Sequence, residues 1–107
     1  MTYNAETLAA ELSKRGLEWA DRESAASLLE EARKTVLSEC QADWPGESNA
    51  ASESKALRDP RYKEHLKNMV EARRLANRAR VNYDVIRAYE GLFRTQEATR
   101  RAEASLR

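Results

Sequence analysis

Few side chains in this 107-residue chain could do chemistry, and one type dominates them. Arg73, Arg80, Arg87, Arg94 and Arg101 recur at every seventh position. On a helix, residues seven apart lie nearly above one another, drifting by about 20° per step. Each guanidinium can fork onto two oxygens, so five in register could follow phosphates or face an acidic protein. Two features argue for a more local use. Glu90–Arg94 and Glu97–Arg101 are i, i+4 pairs that would neutralise part of the row. Arginines beside an apolar seam also have the pattern of coiled-coil flanks. Tyr62, Tyr83, Tyr89 and Phe93 are interleaved with arginines, which could stack unpaired bases. An aromatic stripe at helical spacing is more simply core.

The remaining reactive groups do not assemble into a catalytic set. His65 is the one histidine, and no Cys or second His stands at a metal-ligand spacing from it. Cys40 is the one cysteine, which excludes an internal disulfide framework; on an apolar helical face it reads as a small buried hydrophobe. Glu30-Glu31 reads as a solvated face, and no glycine-rich phosphate loop is present. The chain is therefore read as a non-enzyme that needs no cofactor and no metal.

The elements that must position these residues are helices. Charged residues make up 35% of the chain and aromatics 7%, with three Gly and two Pro. That is the composition of long helices or a coiled coil. The strongest start is Asp59-Pro60, a carboxylate cap followed by a proline at the first helical position. From there a helix over 60–104 would run roughly 65 Å at about 1.5 Å per residue. Its apolar stripe is Tyr62, Leu66, Met69, Ala76, Ala79, Tyr83, Ile86 and Phe93. Gly91 allows a bend, and the turns from Thr95 on are expected to fray.

A first helical arm spans about 5–42, with Thr2 or Asn4 as its cap. Lys14-Arg15-Gly16 reads as a helix end, predicting a break at 16–21 with Leu17 folded back on Leu12. Leu28, Leu29, Ala32, Val36, Leu37 and Cys40 form its later apolar face, and Glu30–Lys34 an exposed pair. The turn at 43–47 contains Trp44-Pro45-Gly46: Pro45 stops the helix, Gly46 gives φ freedom, and Trp44 covers the end of the core. Ser48 or Ser52 caps a short helix over 48–57.

A 40-residue helix is too long for a compact domain of this length, whose radius of gyration would be about 13 Å, so a second long element must cover it. The expected fold is all-α: a single domain forming an antiparallel long-helix hairpin, coiled-coil-like, with a short helix near the bend. Residues 1–60 carry 7 Lys+Arg against 12 Asp+Glu, and residues 61–107 carry 12 against 6, so antiparallel arms neutralise each other. Tyr83, Val85, Ile86, Tyr89, Leu92 and Phe93 exceed what one facing helix covers, which points to a homodimer. The dimer or core set is Tyr62, Leu66, Met69, Tyr83, Ile86, Phe93 and Trp44. The polar residues of Asn77 to Asp84 exceed what a coiled coil requires. The contact residues expected for a partner are Arg73, Asn77, Arg80, Asp84, Arg87 and Arg94. Met1-Thr2-Tyr3-Asn4 leads into Ala5-Glu6 with no apolar leader, and no apolar run approaches the ~20 residues of a membrane span. A cytoplasmic protein without membrane contact is expected.

Two likenesses bear on function. Trp44-Pro45-Gly46 resembles the Trp-x-Gly turn of the secreted WXG100 helical hairpins, which would imply export. The family's Tyr-xxx-Asp/Glu signal is not matched: Arg87 stands fourth after Tyr83, and Phe93 fourth after Tyr89. More of the chain resembles small helical proteins of tailed-phage and prophage early regions. The likeness lies in Arg33-Lys34-Thr35-Val36-Leu37, in Tyr62-Lys63-Glu64-His65-Leu66, from Met69 to Asp84, and in Thr95 to Glu103. It implies a cytoplasmic phage accessory protein encoded among recombination and replication functions. The expected function is binding to a protein, modulating or inhibiting a host defence, nuclease or recombination component. The alternatives are a DNA-binding accessory protein using the Arg row, and the secreted hairpin.

Overall fold

The computed structural model describes residues 4–106. Its helices are α1 (Ala5–Gln41), α2 (Asn49–Leu57) and α3 (Pro60–Ser105), with no strand among the described residues. The fold is the all-α antiparallel hairpin of two long helices with a short helix between them. Contacts divide it into two compact units. One joins the chain up to Ala20 to the chain from Asn77 on; the other is Asp21–Ala76.

α1 begins at a reciprocal cap. The Asn4 side chain accepts from the Thr7 amide at 2.9 Å, and the Thr7 hydroxyl accepts from the Asn4 amide at 2.9 Å. Two of the amide groups left orphaned at a helix start are thereby satisfied. Thr2, the other cap considered, lies outside the described residues.

The expected break at 16–21 is absent: α1 is one helix. Gly16 does not take the left-handed conformation of a helix end, and no glycine among the described residues has a positive φ. The Tyr83 ring instead lies against Gly16, about 3.5 Å from where a Cβ would stand, and pairs with Trp19 at a 5.4 Å centroid distance. Tertiary contact overrides the local stop signal. Leu17 does not fold back on Leu12; it points to solvent. A Cβ at Gly16 would meet the ring at ordinary van der Waals distance. Gly16→Ala should therefore stabilise the protein by about 1 kcal/mol through helix propensity alone. Urea unfolding followed by circular dichroism reads the gain; a loss would mean that the ring has no room to accept a methyl group.

In the Asp21–Ala76 unit the core is the cluster of Cys40, Ala56 and Tyr62, with Val36, Leu37 and Leu66 packed on it. Each of the three helices contributes to it. Leu29 and Ala32 are half-buried as expected, whereas Leu28 is largely exposed and does not widen the face. In the other unit Leu8, Ala79 and Ile86 are buried, with Leu12, Trp19, Tyr83 and Phe93 half-buried. The expected α3 stripe from Tyr62 to Phe93 is buried or half-buried throughout.

The turn after α1 is closed by backbone bonds from the Trp44 amide to the Gln41 carbonyl and from the Glu47 amide to the Trp44 carbonyl. Gly46 makes it without a positive φ. Trp44 does not cover the core. It is 41% exposed, with the Lys55 ammonium 4.3 Å from its ring centroid. Lys55 also pairs with Glu47 at 2.6 Å, so the indole serves a local cation–π contact in the turn. Ser48 is the cap of α2, accepting from the Ala51 amide. Ser52 is instead buried inside α2, donating to the Asn49 carbonyl and accepting from Gln41. α3 passes Gly91 as helix and is helical to Ser105, through the turns from Thr95 on that are expected to fray.

Candidate protein-binding surface

The five heptad arginines do not form one surface. Arg73 is a tie within the Asp21–Ala76 unit. Its Nε and Nη2 donate to both Glu30 oxygens at 2.9 and 2.6 Å, and its Nη1 to Glu23 at 2.7 Å. This two-pronged fork onto α1 replaces the expected Glu30–Lys34 pair, since a bidentate cross-helix bond outcompetes an exposed local one. It also holds the Glu30 carboxyl below the ordinary carboxylate range. Arg73 therefore faces the acidic first arm rather than a partner.

The other four belong to the second unit. Arg94 pairs with Glu90, as expected. Glu97 bonds Arg100 at 3.1 Å, not Arg101. Arg80, Arg87 and Arg101 are exposed and have no ion-pair partner among the described residues. Asn77 and Asp84 are exposed beside Arg80 and Arg87.

The aromatic residues separate in the same way. Tyr62 is buried, its hydroxyl 3.5 Å from Arg33 Nη1. Tyr83 packs on Trp19. Phe93 is half-buried along a groove of about 690 Å³ that Leu8, Leu12 and Ala98 also line, with Arg101 at its polar edge. Only Tyr89 of this set is exposed. Three of the four rings are thus committed to packing, and no continuous base-stacking platform runs along α3.

A different face of α3 stands open. Val81, Val85 and Leu92 are 54%, 48% and 54% exposed, with Tyr89 at 49% on their flank. At about 100° per residue they share one side of the helix with exposed Ala88, opposite the stripe that packs on α1. The excess of Val85, Tyr89 and Leu92 over one partner helix is visible in the sequence. Val81 and Ala88 complete the row, and the spacing 81, 85, 88, 92 carries the signal.

His65 Nε2 donates to the Leu29 carbonyl at 2.8 Å, so the ring ties α3 to α1. Cys40 is buried, and burial first, then the Asp59 carboxylate, pushes its thiol above the ordinary range. Among the described residues no three or more acidic, His and Cys side chains come together in an arrangement that could hold a metal ion. No helix among them is long and apolar enough to cross a membrane.

The start of α3 is an electrostatic clasp. Asp59 accepts from the Arg61 amide at 2.8 Å, and the Arg61 guanidinium bonds both Asp59 and Asp43. Arg61 lowers the Asp59 carboxyl from its ordinary 3.8 to about 2. The folded-state value lies below the unfolded one. The stability this clasp contributes is therefore present above about pH 4 and is lost as pH falls toward about 2. Thermal midpoints of the wild type and Asp59→Asn should differ at pH 6 and converge at pH 2. A gap that persists at pH 2 would assign the effect to something other than the carboxylate's charge.

Comparison with family models, curated proteins and solved structures returns no match.

Proposed function

We propose that this chain is a non-catalytic protein-binding hairpin whose binding surface is the outward face of α3 from Asn77 to Leu92. The observation that carries this reading is the exposed row Val81, Val85 and Leu92 with Tyr89 beside it. A contiguous apolar strip on an otherwise highly charged helix marks an interaction site. Asp84 borders it, and exposed Arg80 and Arg87 lie farther round the helix. The likeness to phage early-region proteins suggests the setting, in which a small accessory protein modulates or inhibits a host defence, nuclease or recombination component. Self-association belongs to the same reading, because the surface that binds a partner can also bind itself.

The test is affinity capture from host or infected cells after nuclease treatment, with the wild type and Val85→Asp/Leu92→Asp side by side. A protein retained by the wild type and lost from the variant, with helicity unchanged by circular dichroism, supports the reading. Identical captures, or captures removed by the nuclease, overturn it. Anisotropy titrations with DNA over a salt series provide the competing measurement. Affinity falling steeply with salt and abolished by Arg80→Glu/Arg87→Glu would assign the face to nucleic acid.

A further inference from the structure

We propose that the unit joining the start of α1 to the end of α3 is a jaw: its two arms part and reclose as one, while Asp21–Ala76 stays shut. The jaw uses the inner faces of the helices and is independent of the outward row.

The polar ties between elements are unevenly placed. In Asp21–Ala76 they are many. Arg73 of α3 bonds Glu23 and Glu30 of α1, and His65 bonds the Leu29 carbonyl. Gln41 of α1 bonds Asn49 and Ser52 of α2. In the other unit the side-chain hydrogen bonds and ion pairs stay inside one helix. Arg15 pairs with Glu11 and Glu18, Arg94 with Glu90, and Arg100 with Glu97. Tyr89 aside, none among the described residues of this unit crosses from α1 to α3. Pairs within a helix survive when two helices separate, so they contribute nothing to holding the arms together.

Packing therefore holds this unit, and it thins along the arms. Trp19 and Tyr83 meet at a 5.4 Å centroid distance close to the Ala20 and Asn77 ends. Farther along, Leu8 is buried, but Ala5, Ala9 and Ala98 line the groove of about 690 Å³ where larger side chains would interdigitate. No turn joins the arms within this unit, because the connection from α1 to α3 runs through residues 42–59 of the other. Segments with few buried apolar contacts and no ties between elements lie at the low end of local opening free energy. Parting uncovers Leu8, Leu12, Ile86 and Phe93, an apolar face distinct from the outward row. The chain then has one surface to present when closed and a second when open. Once parted, the arm from Ala5 to Ala20 is short enough to be marginal as a helix in water, so hydrogen exchange reads the opening.

Native-state amide exchange over a urea series tests this on the wild-type chain. Residues 9–16 of α1 and 80–93 of α3 should share one opening free energy and one shallow urea dependence, because parting removes both partners at once and exposes only part of the buried surface. Their exchange should be about tenfold or more faster than in the Cys40–Ala56–Tyr62 cluster. Arg73→Gln separates ties from packing. It should quicken exchange at 23–33 and 65–76 by about three- to tenfold and leave 9–16 and 80–93 within about twofold. Different opening free energies in 9–16 and 80–93 would mean that each helix frays alone, and overturn the jaw. Values equal to that of Asp21–Ala76 overturn it as well, since the chain then opens only as a whole. An Arg73→Gln variant that leaves 23–33 unchanged, or quickens both units alike, removes the cause of the division and overturns the proposal.

Discussion

Truncating Tyr62 to alanine should lower the unfolding free energy by about 3–5 kcal/mol, the usual cost of deleting a buried aromatic side chain. Tyr62 is 3% exposed and sits where the three helices of the Asp21–Ala76 unit meet, against Cys40 of α1 and Ala56 of α2. Its neighbours are small or aliphatic, and Cys40 and Ala56 cannot swing across to refill the space. A cavity term therefore adds to the lost transfer energy. Domains of this size are stable by roughly 5–15 kcal/mol, so the variant should be partly unfolded at 37 °C. Tyr62→Phe separates the ring from the hydroxyl. The Arg33 contact at 3.5 Å is at the limit of a hydrogen bond, so this change should cost less than about 1 kcal/mol. Urea midpoints for the two variants measure both quantities. A phenylalanine variant as unstable as the alanine one would mean that the hydroxyl, not the ring, holds the three helices together.

The features that can be read directly from the chain are those in which local chemistry and tertiary structure agree. Asp59-Pro60 starts α3, Ser48 starts α2, and Pro45 ends the first arm, because capping and proline geometry need no distant partner. The Tyr62-to-Phe93 stripe is likewise set by helical period alone. What is not legible depends on a partner far away in sequence. Gly16 carries every local sign of a helix end, yet the Tyr83 ring against it is more than sixty residues distant, and the helix continues. Leu28 fits an apolar face by type, but helix rotation places it outside. Arg73 belongs to an apparently uniform row until α1 supplies Glu23 and Glu30. The same holds for the exposed apolar face of α3. A surplus of apolar residues in α3 is visible in the sequence, but which of them face outward depends on the rotation that α1 imposes. Tyr83, Ile86 and Phe93 turn toward α1, and Val81, Val85 and Leu92 turn away. The surplus therefore divides into a core and a surface, and only the surface is available to a partner.

The second large effect is expected at Leu8, and it should be local. Leu8 is 1% exposed in the unit that pairs the start of α1 with the end of α3. Leu8→Ala should cost about 2–3 kcal/mol, toward the lower part of the range for buried leucine. Leu8 borders the groove shared with Leu12, Phe93 and Ala98, so the space vacated joins an existing opening rather than forming a closed void. The residues nearby cannot compensate: Ala5 and Ala9 are small, and Glu90 is held by Arg94. The Asn4–Thr7 cap still starts the helix, so the loss falls on packing and not on helix nucleation. Amide hydrogen exchange should therefore quicken about 30- to 150-fold over residues 5–20 and 77–105, the factor that corresponds to 2–3 kcal/mol. The Cys40–Ala56–Tyr62 cluster contains no residue that touches the change, so protection around it should persist. Exchange that quickens equally throughout would mean that the protein opens only as a whole. A change of less than about threefold would mean that the helix ends are held by their charged residues, and that Leu8 is buried without contributing to stability.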